Sequence, residues 1–164
     1  MFGFDPFLVR TKLTHPQARY LVFMAHTDEA VQKFTHDEIR FADVKTVRNW
    51  ASERFLVVFS PRKQPQQLAA LVWFSHESAA LTGVKATTTM GVRLYPPFRG
   101  KGLSLTLTQQ AIHRALEKGF LKKGQQLWLR VHQDNAAGLA LYKKLGFTLV
   151  DQAENQCFLE MKLR

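Results

Sequence analysis

The sequence predicts a mixed α/β sandwich of the α+β kind, and three observations carry that reading. The apolar patterns run strand, helices, three strands, helix, strand, helix, two strands, which is not the strict alternation of a parallel doubly wound fold. The chain has 164 residues, about the length of one domain. It is 46% apolar and 22% charged, close to globular averages, so it can bury a core and is not expected to be disordered.

Residues 7–13 read as the opening strand, ended by Thr14 and Pro16. Residues 17–25 place Ala18, Leu21, Val22 and Ala25 at helical spacing, and Pro16 suits the first turn because its missing N–H has no intrahelical partner there. Two shorter helical patterns follow. Thr27 caps the first, before Asp-Glu-Ala-Val, and Asp43 caps the second, before Val44, Val47 and Trp50, since a short oxygen-bearing side chain accepts from first-turn amides. Residues 54–59 and 68–75 are β-rich and joined through Pro-Arg-Lys-Gln-Pro, a hairpin pattern. Residues 85–95 keep strand character until Pro96-Pro97 stops it. Residues 102–118 form the strongest helix: Leu103, Leu107, Ala111 and Ala115 trace one apolar stripe, and Gly119 stands where a left-handed terminus belongs. Residues 127–131 alternate as a strand, Asn135 caps a helix that runs to about Leu145, and Gly146 closes it. Residues 147–150 and 157–163 supply two final strands. With no repeat and no low-complexity segment, residues 1–164 read as one domain.

Lys and Arg number 23 against 13 Asp and Glu, a net charge of +10. Such an excess calls for an anionic partner: nucleic acid, a membrane surface or a phosphorylated small molecule. Residues 83–164 hold 13 basic and 5 acidic residues, so most of the excess sits in that half. Cys157 is the single cysteine, which rules out an internal disulfide, fits a cytoplasmic setting and leaves only six scattered His for any metal, so no metal site is expected. The longest uncharged apolar stretch, 68–74, falls far short of the roughly 20 residues that a spanning helix needs. The start, MFGFDPFLVR, lacks the pattern of a secretory leader, so no membrane partner is expected.

Arg99-Gly100-Lys101-Gly102-Leu103-Ser104 lies directly between a strand and the long helix. A glycine-rich turn there exposes backbone N–H groups at the positive end of a helix dipole, and Arg99 and Lys101 add full charges, the arginine as a fork suited to phosphate oxygens. Neither G-x-G-x-x-G nor G-x-x-x-x-G-K-[ST] is present, so the two common phosphate loops are excluded.

The segment resembles the GNAT superfamily of N-acyltransferases, whose signature Gln/Arg-x-x-Gly-x-Gly/Ala opens a helix after the fourth strand. Arg99, Gly102 and Ser104 fill it, and Leu94-Tyr95-Pro96-Pro97-Phe98 stands in the place of the family's Val-x-Pro-x-Tyr. Downstream, the run from Asn135 through Leu141-Tyr142 to Leu145-Gly146-Phe147 is similar to the family's Asn-x-x-Ala-x-x-Leu-Tyr-x-x-Leu-Gly-Phe. The resemblance covers roughly residues 90–150 and implies a mostly antiparallel sheet with splayed fourth and fifth strands flanked by helices, the cofactor half falling at about 85–150. It also implies acetyl transfer from acetyl-CoA, without a metal, to a small-molecule or peptide amine by direct attack, in a monomer or homodimer.

By the same resemblance, backbone N–H groups of Arg99, Gly100, Lys101, Gly102, Leu103 and Ser104 hold the pyrophosphate of coenzyme A. Val92 and Leu94 pair through their main chains with the pantetheine arm, Asn135 bonds it from the other side, and Tyr142 is the general acid. A thiol titrates near 8.5 and a tyrosine near 10, so complete proton donation by Tyr142 is uphill by about 2 kcal/mol and hydrogen bonding to the leaving thiolate carries much of the role.

Three positions depart from the pattern. Ser104 replaces Gly or Ala, and Gly138 replaces a helical alanine at about 1 kcal/mol of helix propensity. Some members place a Glu on the fourth strand as base, whereas residues 85–95 contain no carboxylate, which leaves Glu77, His76, His132 or a water chain. Local readings stand beside the functional ones: Asn135 as a plain N-cap, Tyr142 as packing on the sheet. Phe34 and Phe41 fall where such folds form the acceptor pocket. Two other functions remain open, a non-catalytic coenzyme A-binding regulator and a basic nucleic-acid-binding module using Arg114, Lys118, Lys122 and Lys123. The second is disfavoured, because no exposed aromatics interleave with those charges.

Overall fold

The computed structural model describes residues 6–79 and 82–164. Residues 1–5, part of the start inspected for a leader pattern, lie outside the described residues. The elements are β1 (Phe7–Arg10), α1 (His15–Thr27), α2 (Glu29–Phe34), α3 (Asp37–Arg40), α4 (Val44–Ser52), β2 (Phe55–Pro61), β3 (Ala70–His76) and β4 (Thr88–Leu94). They continue as α5 (Leu103–Glu117), β5 (Gln126–His132), α6 (Ala136–Leu145), β6 (Thr148–Ala153) and β7 (Gln156–Lys162). One sheet runs β1-β2-β3-β4-β5-β7-β6. Every neighbouring pair is antiparallel except β4 and β5, which run parallel and meet at one register pair, Thr89 with Trp128. Beyond Thr89 the two strands part and leave a wedge in the middle of the sheet. Among the described residues no helix is long and apolar enough to cross a membrane.

Both faces of the sheet are buried at β2 and β3, whereas the edge strand β6 is largely exposed. Val57, Phe59, Val72, Phe74, Met90, Leu127 and Leu129 pack with Leu107 and Ala111 of α5 and with Leu141 and Tyr142 of α6. The alternate residues Leu56, Val58, Leu71 and Trp73 pack with Leu21 of α1, Phe41, and Val47 and Trp50 of α4. Because β2 and β3 are covered on both sides, they read as unbroken apolar runs instead of alternating ones.

Local differences from the sequence reading have clear causes. Asp28, not Thr27, caps α2: its Oδ1 accepts from the Ala30 and Val31 amides at 3.0 and 3.2 Å, while the Thr27 hydroxyl donates back to the Phe23 carbonyl in the last turn of α1. Thr14 and Gln17 form a reciprocal capping box on α1. The first strand stops at Arg10, the last residue with a partner on β2. Strand β4 starts at Thr88 and not at Lys85, since the Lys85 and Ala86 amides donate to Glu160 Oε1 at 2.6 and 2.8 Å in place of a ladder partner, while the Thr87 carbonyl accepts from the Glu77 N–H at 2.9 Å. The one-turn helix α3 has too few residues for a period to show.

Gly91 of β4 lies opposite Trp73 of β3, and a Cβ at that position would fall 2.1 Å from two carbons of the indole. Glycine here is a packing requirement, because Trp73 is pinned in turn by an edge-on contact with Trp50 at 5.2 Å. Gly91→Ala is expected to lower stability by about 1–3 kcal/mol, read as a lower urea midpoint at unchanged slope. An unchanged midpoint would show that Trp73 can vacate its site at no cost.

Candidate active site

The wedge presents backbone as well as side chains. Tyr95 donates its N–H to the Ala69 carbonyl at 2.9 Å, and β4 pairs onto β3 as Arg93 with Leu71 and Val92 with Val72. Alternate residues of an antiparallel ladder bond to the same neighbour. Gly91 and Arg93 therefore bond to β3, whereas Val92 and Leu94 turn their main-chain groups toward the wedge. The Val92 carbonyl accepts from Arg93 Nη1 at 3.0 Å and the Leu94 carbonyl from Arg99 Nε at 2.7 Å. The N–H groups of Val92 and Leu94 are what this edge offers to a ligand.

Above that edge sits the glycine turn. Gly100 and Gly102 have φ of +71° and +70°, and a Cβ on either would meet nothing within 4 Å, so backbone conformation and not crowding requires glycine. Gly102 occupies the N-cap of α5 without a side-chain hydrogen bond, which leaves the first-turn amides, including those of Leu103 and Ser104, directed outward at the positive end of a 15-residue helix. The Arg99 guanidinium departs from expectation. It faces inward, pairing Nη1 with Asp28 Oδ1 at 2.9 Å and Nη2 with Oδ2 at 2.8 Å. The Asp28 side chain is 3% exposed and a carboxylate that deep needs a charged partner, so Arg99 braces the turn from within instead of offering its fork to a phosphate. Lys101 is exposed, with Nζ 5.9 Å from the Phe98 ring centre.

On the far side of the wedge, Asn135 caps α6 by accepting from the Gly138 N–H at 2.9 Å. A Cβ on Gly138 would approach Asn135 Nδ2 to 2.8 Å. The helical glycine thus gives the Asn135 carboxamide room to lie against the first turn. Tyr142 is buried, edge-on to Phe147 at 5.9 Å. Burial pushes its phenol above the ordinary value, and the Arg93 guanidinium only partly opposes this. At neutral pH the phenol is a hydrogen-bond donor.

These parts border one cleft. A cavity of about 310 Å³ is lined by Val92, Leu94, Arg99, Gly100, Ser104, Asn135 and Tyr142. A second, of about 150 Å³, lies toward α3 and includes Trp50, Trp73, Glu77 and His132. The two share Phe34, Thr35, Val92, Arg93, Asn135 and Tyr142, so Tyr142 stands at their junction. Lys101, Gly102 and Leu103 lie on the turn beyond the lining of either cavity. Phe34 borders both, but Phe41 does not: it is fully buried against Trp50 at 4.8 Å. Of the three side chains considered as proton acceptors, Glu77 and His132 line the α3-side cavity. His76 is turned away, stacked on Phe120 at 4.7 Å and bonded to the Thr88 hydroxyl. His132 Nδ1 accepts from the Asp134 N–H at 3.1 Å, which places the ring proton on Nε2.

One group at the site stands out in sequence no more than Asp28, Glu29, Glu38 and Glu154, acids that read equally as pocket lining or as ordinary surface. Asp37 of α3, 1% exposed, accepts from Arg93 Nε at 2.7 Å and Nη2 at 2.9 Å, and from Arg40 Nη1 at 2.9 Å. Burial alone would raise its carboxyl, but the Arg93 and Arg40 guanidiniums hold it below its ordinary value. Arg93 is likewise held charged, since the attraction of Asp37 outweighs the effect of burial.

The sequence model of the acetyltransferase (GNAT) family matches residues 21–147. The chain belongs to the GNAT acetyltransferase family. Among solved structures, this acetyltransferase is similar to PaiA N-acetyltransferase from Thermoplasma acidophilum in complex with coenzyme A, with a TM-score of 0.69 and 17% identity over 95% of this chain and 98% of that one. It is also similar to N-acetyltransferase PseH from Campylobacter jejuni in complex with acetyl coenzyme A, at 0.61 and 17% over 96% and 100%. The ribosomal-protein-S5-alanine acetyltransferase from Vibrio fischeri superposes at 0.65 with 13% identity over 98% and 95%. At these identities the likeness establishes the fold. No curated protein matches the sequence.

Because the folded-state carboxyl of Asp37 titrates below its unfolded value, its contribution is complete above the usual carboxylate range and is lost as pH falls through the folded-state value. Asp37→Ala is expected to cost about 3–5 kcal/mol at neutral pH, because it strands the Arg93 charge. It should also lose less stability than the wild type on acidification from pH 5 to pH 3. Urea unfolding at both pH values checks this; parallel acid losses in the two proteins would contradict it.

Proposed function

We propose that this GNAT acetyltransferase moves an acetyl group from acetyl-CoA to an amine by direct attack within the wedge. The observation that carries the reading is convergence: the uncapped α5 amides, the Val92 and Leu94 edge and the Tyr142 phenol all border one cleft that continues past Tyr142 into a second chamber. Acetyl-CoA supplies a thioester, an activated acyl group on a thiol able to leave. The turn fits its pyrophosphate, since residues 100–104 offer left-handed glycines and outward amides with Lys101 beside them. The Val92 and Leu94 N–H groups suit an extended amide-bearing arm laid along the strand edge. Asn135 supports the arm from α6.

In the α3-side chamber the residues handle the amine. Of the two acceptors on the chamber wall, His132 has its Nδ1 occupied by the Asp134 N–H, so the Glu77 carboxylate is assigned the proton that the attacking nitrogen must lose, and the C–N bond forms as the C–S bond breaks. Tyr142 donates a hydrogen bond to the departing sulfur. Its raised pKa makes full proton transfer to a thiolate less favourable still, so the phenol acts chiefly as a fixed donor in a buried setting, where such a bond is strong.

Free-thiol release across a panel of amines tests the reading. Tyr142→Phe is expected to lower kcat by about 10²-fold while leaving acetyl-CoA affinity within about twofold. Unchanged kcat would remove Tyr142 from the mechanism. Acetyl-CoA binding with no thiol release from any amine would replace the enzyme with a coenzyme A-binding regulator.

A further inference from the structure

The α3-side chamber is lined by four arginines, Arg40, Arg54, Arg93 and Arg130. Three of them lie over a pair of touching indoles: Arg93 and Arg40 over Trp73 at 5.0 and 5.5 Å, Arg54 over Trp50 at 5.1 Å. Against four guanidiniums stand three carboxylates, Asp37 beneath the chamber, Glu77 at its wall and the exposed Glu53, 3.7 Å from Arg54 Nη1. The balance is positive in a partly enclosed, indole-walled space, where the field of uncompensated charge is focused.

The four do not have equal capacity left. Arg93 uses Nε and Nη2 on Asp37 and Nη1 on the Val92 carbonyl. Arg40 gives Asp37 only Nη1, and Arg54 gives Nη1 to the Trp50 carbonyl, with the exposed Glu53 carboxylate 3.7 Å from the same nitrogen. Arg130, on β5 across the wedge, makes no side-chain hydrogen bond or ion pair among the described residues. Burial, and the neighbouring charges of Arg93, Arg130 and Arg54, work against the charged form of Arg40 more than Asp37 supports it. Such a group gains from a further anion. The phosphates of coenzyme A are not that anion on the proposed function, because Gly100 and Ser104 line the other cavity, whose lining includes none of Arg40, Arg54 and Arg130.

We propose that the acceptor is a small amine that also carries an anionic group, a carboxylate or a phosphate, gripped by Arg40 and Arg130 with Arg54 beside them. The proposal rests on the acetyl-transfer reading and narrows its acceptor: zwitterions of about amino-acid size fit, and polyamines and aminoglycosides are repelled. The chamber volume of about 150 Å³, below the range usual for drug-sized ligands, sets the size.

Equilibrium titration of the full chain saturated with coenzyme A reads this without turnover. Matched ligands are an amino acid and its carboxamide, phosphoethanolamine and ethanolamine, with spermidine as the polycation. At least one anionic member should bind tenfold or more tighter than its neutral counterpart, and which pair shows the preference distinguishes carboxylate from phosphate. Arg130→Gln, outside the Asp37 cluster and exposed, should cut that preference at least fivefold while leaving the neutral member unaffected, and Arg40→Gln should do the same if it folds. Equal binding within both pairs, no binding by either anionic member, preference for spermidine, or an unaltered preference in Arg130→Gln would overturn the proposal. Retained anion preference with no thiol release would overturn acetyl transfer alone.

Discussion

The bond between Arg93 and Asp37 is the constraint on which the rest of the site depends. Past Thr89, β4 has lost β5 as a neighbour, and a strand edge in the middle of a sheet cannot stay open without support. Arg93 supplies it by reaching out of β4 to a carboxylate on α3 with two short hydrogen bonds. A buried pair of this kind adds little net stability compared with an apolar alternative, but losing one partner leaves a stranded charge. Its value is positional: it sets the distance between the helical layer and the open strand, and hence the width of the chamber. Trp73, wedged under both Arg93 and Arg40 and given space by Gly91, forms the floor of that arrangement.

Two further pieces follow the same logic of polar groups held by defined partners. Arg99 ties the glycine turn to Asp28, which itself caps α2, so the turn preceding α5 and the helix facing it are fixed by one carboxylate. Asn135 serves both as the cap of α6 and as part of the cleft wall, and Gly138 leaves its carboxamide room against the first turn. The consequence is a cleft whose flanking turn and helix start are tied by hydrogen bonds within the protein itself, the kind of positioning that electrostatic stabilisation of a reacting group uses.

Much of this was legible in the sequence. The order of elements, the wide α5 stripe, the glycine turn and the Asn135-to-Phe147 run each rest on short-range patterns, and the structure brings Asn135 and Tyr142 of the α6 segment to the same cleft as Val92 and Leu94 of β4. What escaped was long-range. Asp37 looks like one more surface acid until α3 brings it under Arg93, 56 residues away, and Arg93 looks like one member of a basic run. Phe41 and Phe34 look alike in sequence, yet Phe41 packs on Trp50 in the core and Phe34 lines the cleft, a difference set by tertiary contacts that the local pattern does not carry. Two adjacent oxygen-bearing residues, Thr27 and Asp28, competed for one cap, and the carboxylate took it.

The central claim is that one cofactor lies across the wedge from the α5 amides to the β4 edge. Amide hydrogen exchange with and without saturating acetyl-CoA tests it most directly. The account predicts slowed exchange at Gly102, Leu103 and Ser104 and at Val92 and Leu94, with β1 and β6 unchanged. Protection confined to the 99–104 turn, or absent from both segments, would contradict it.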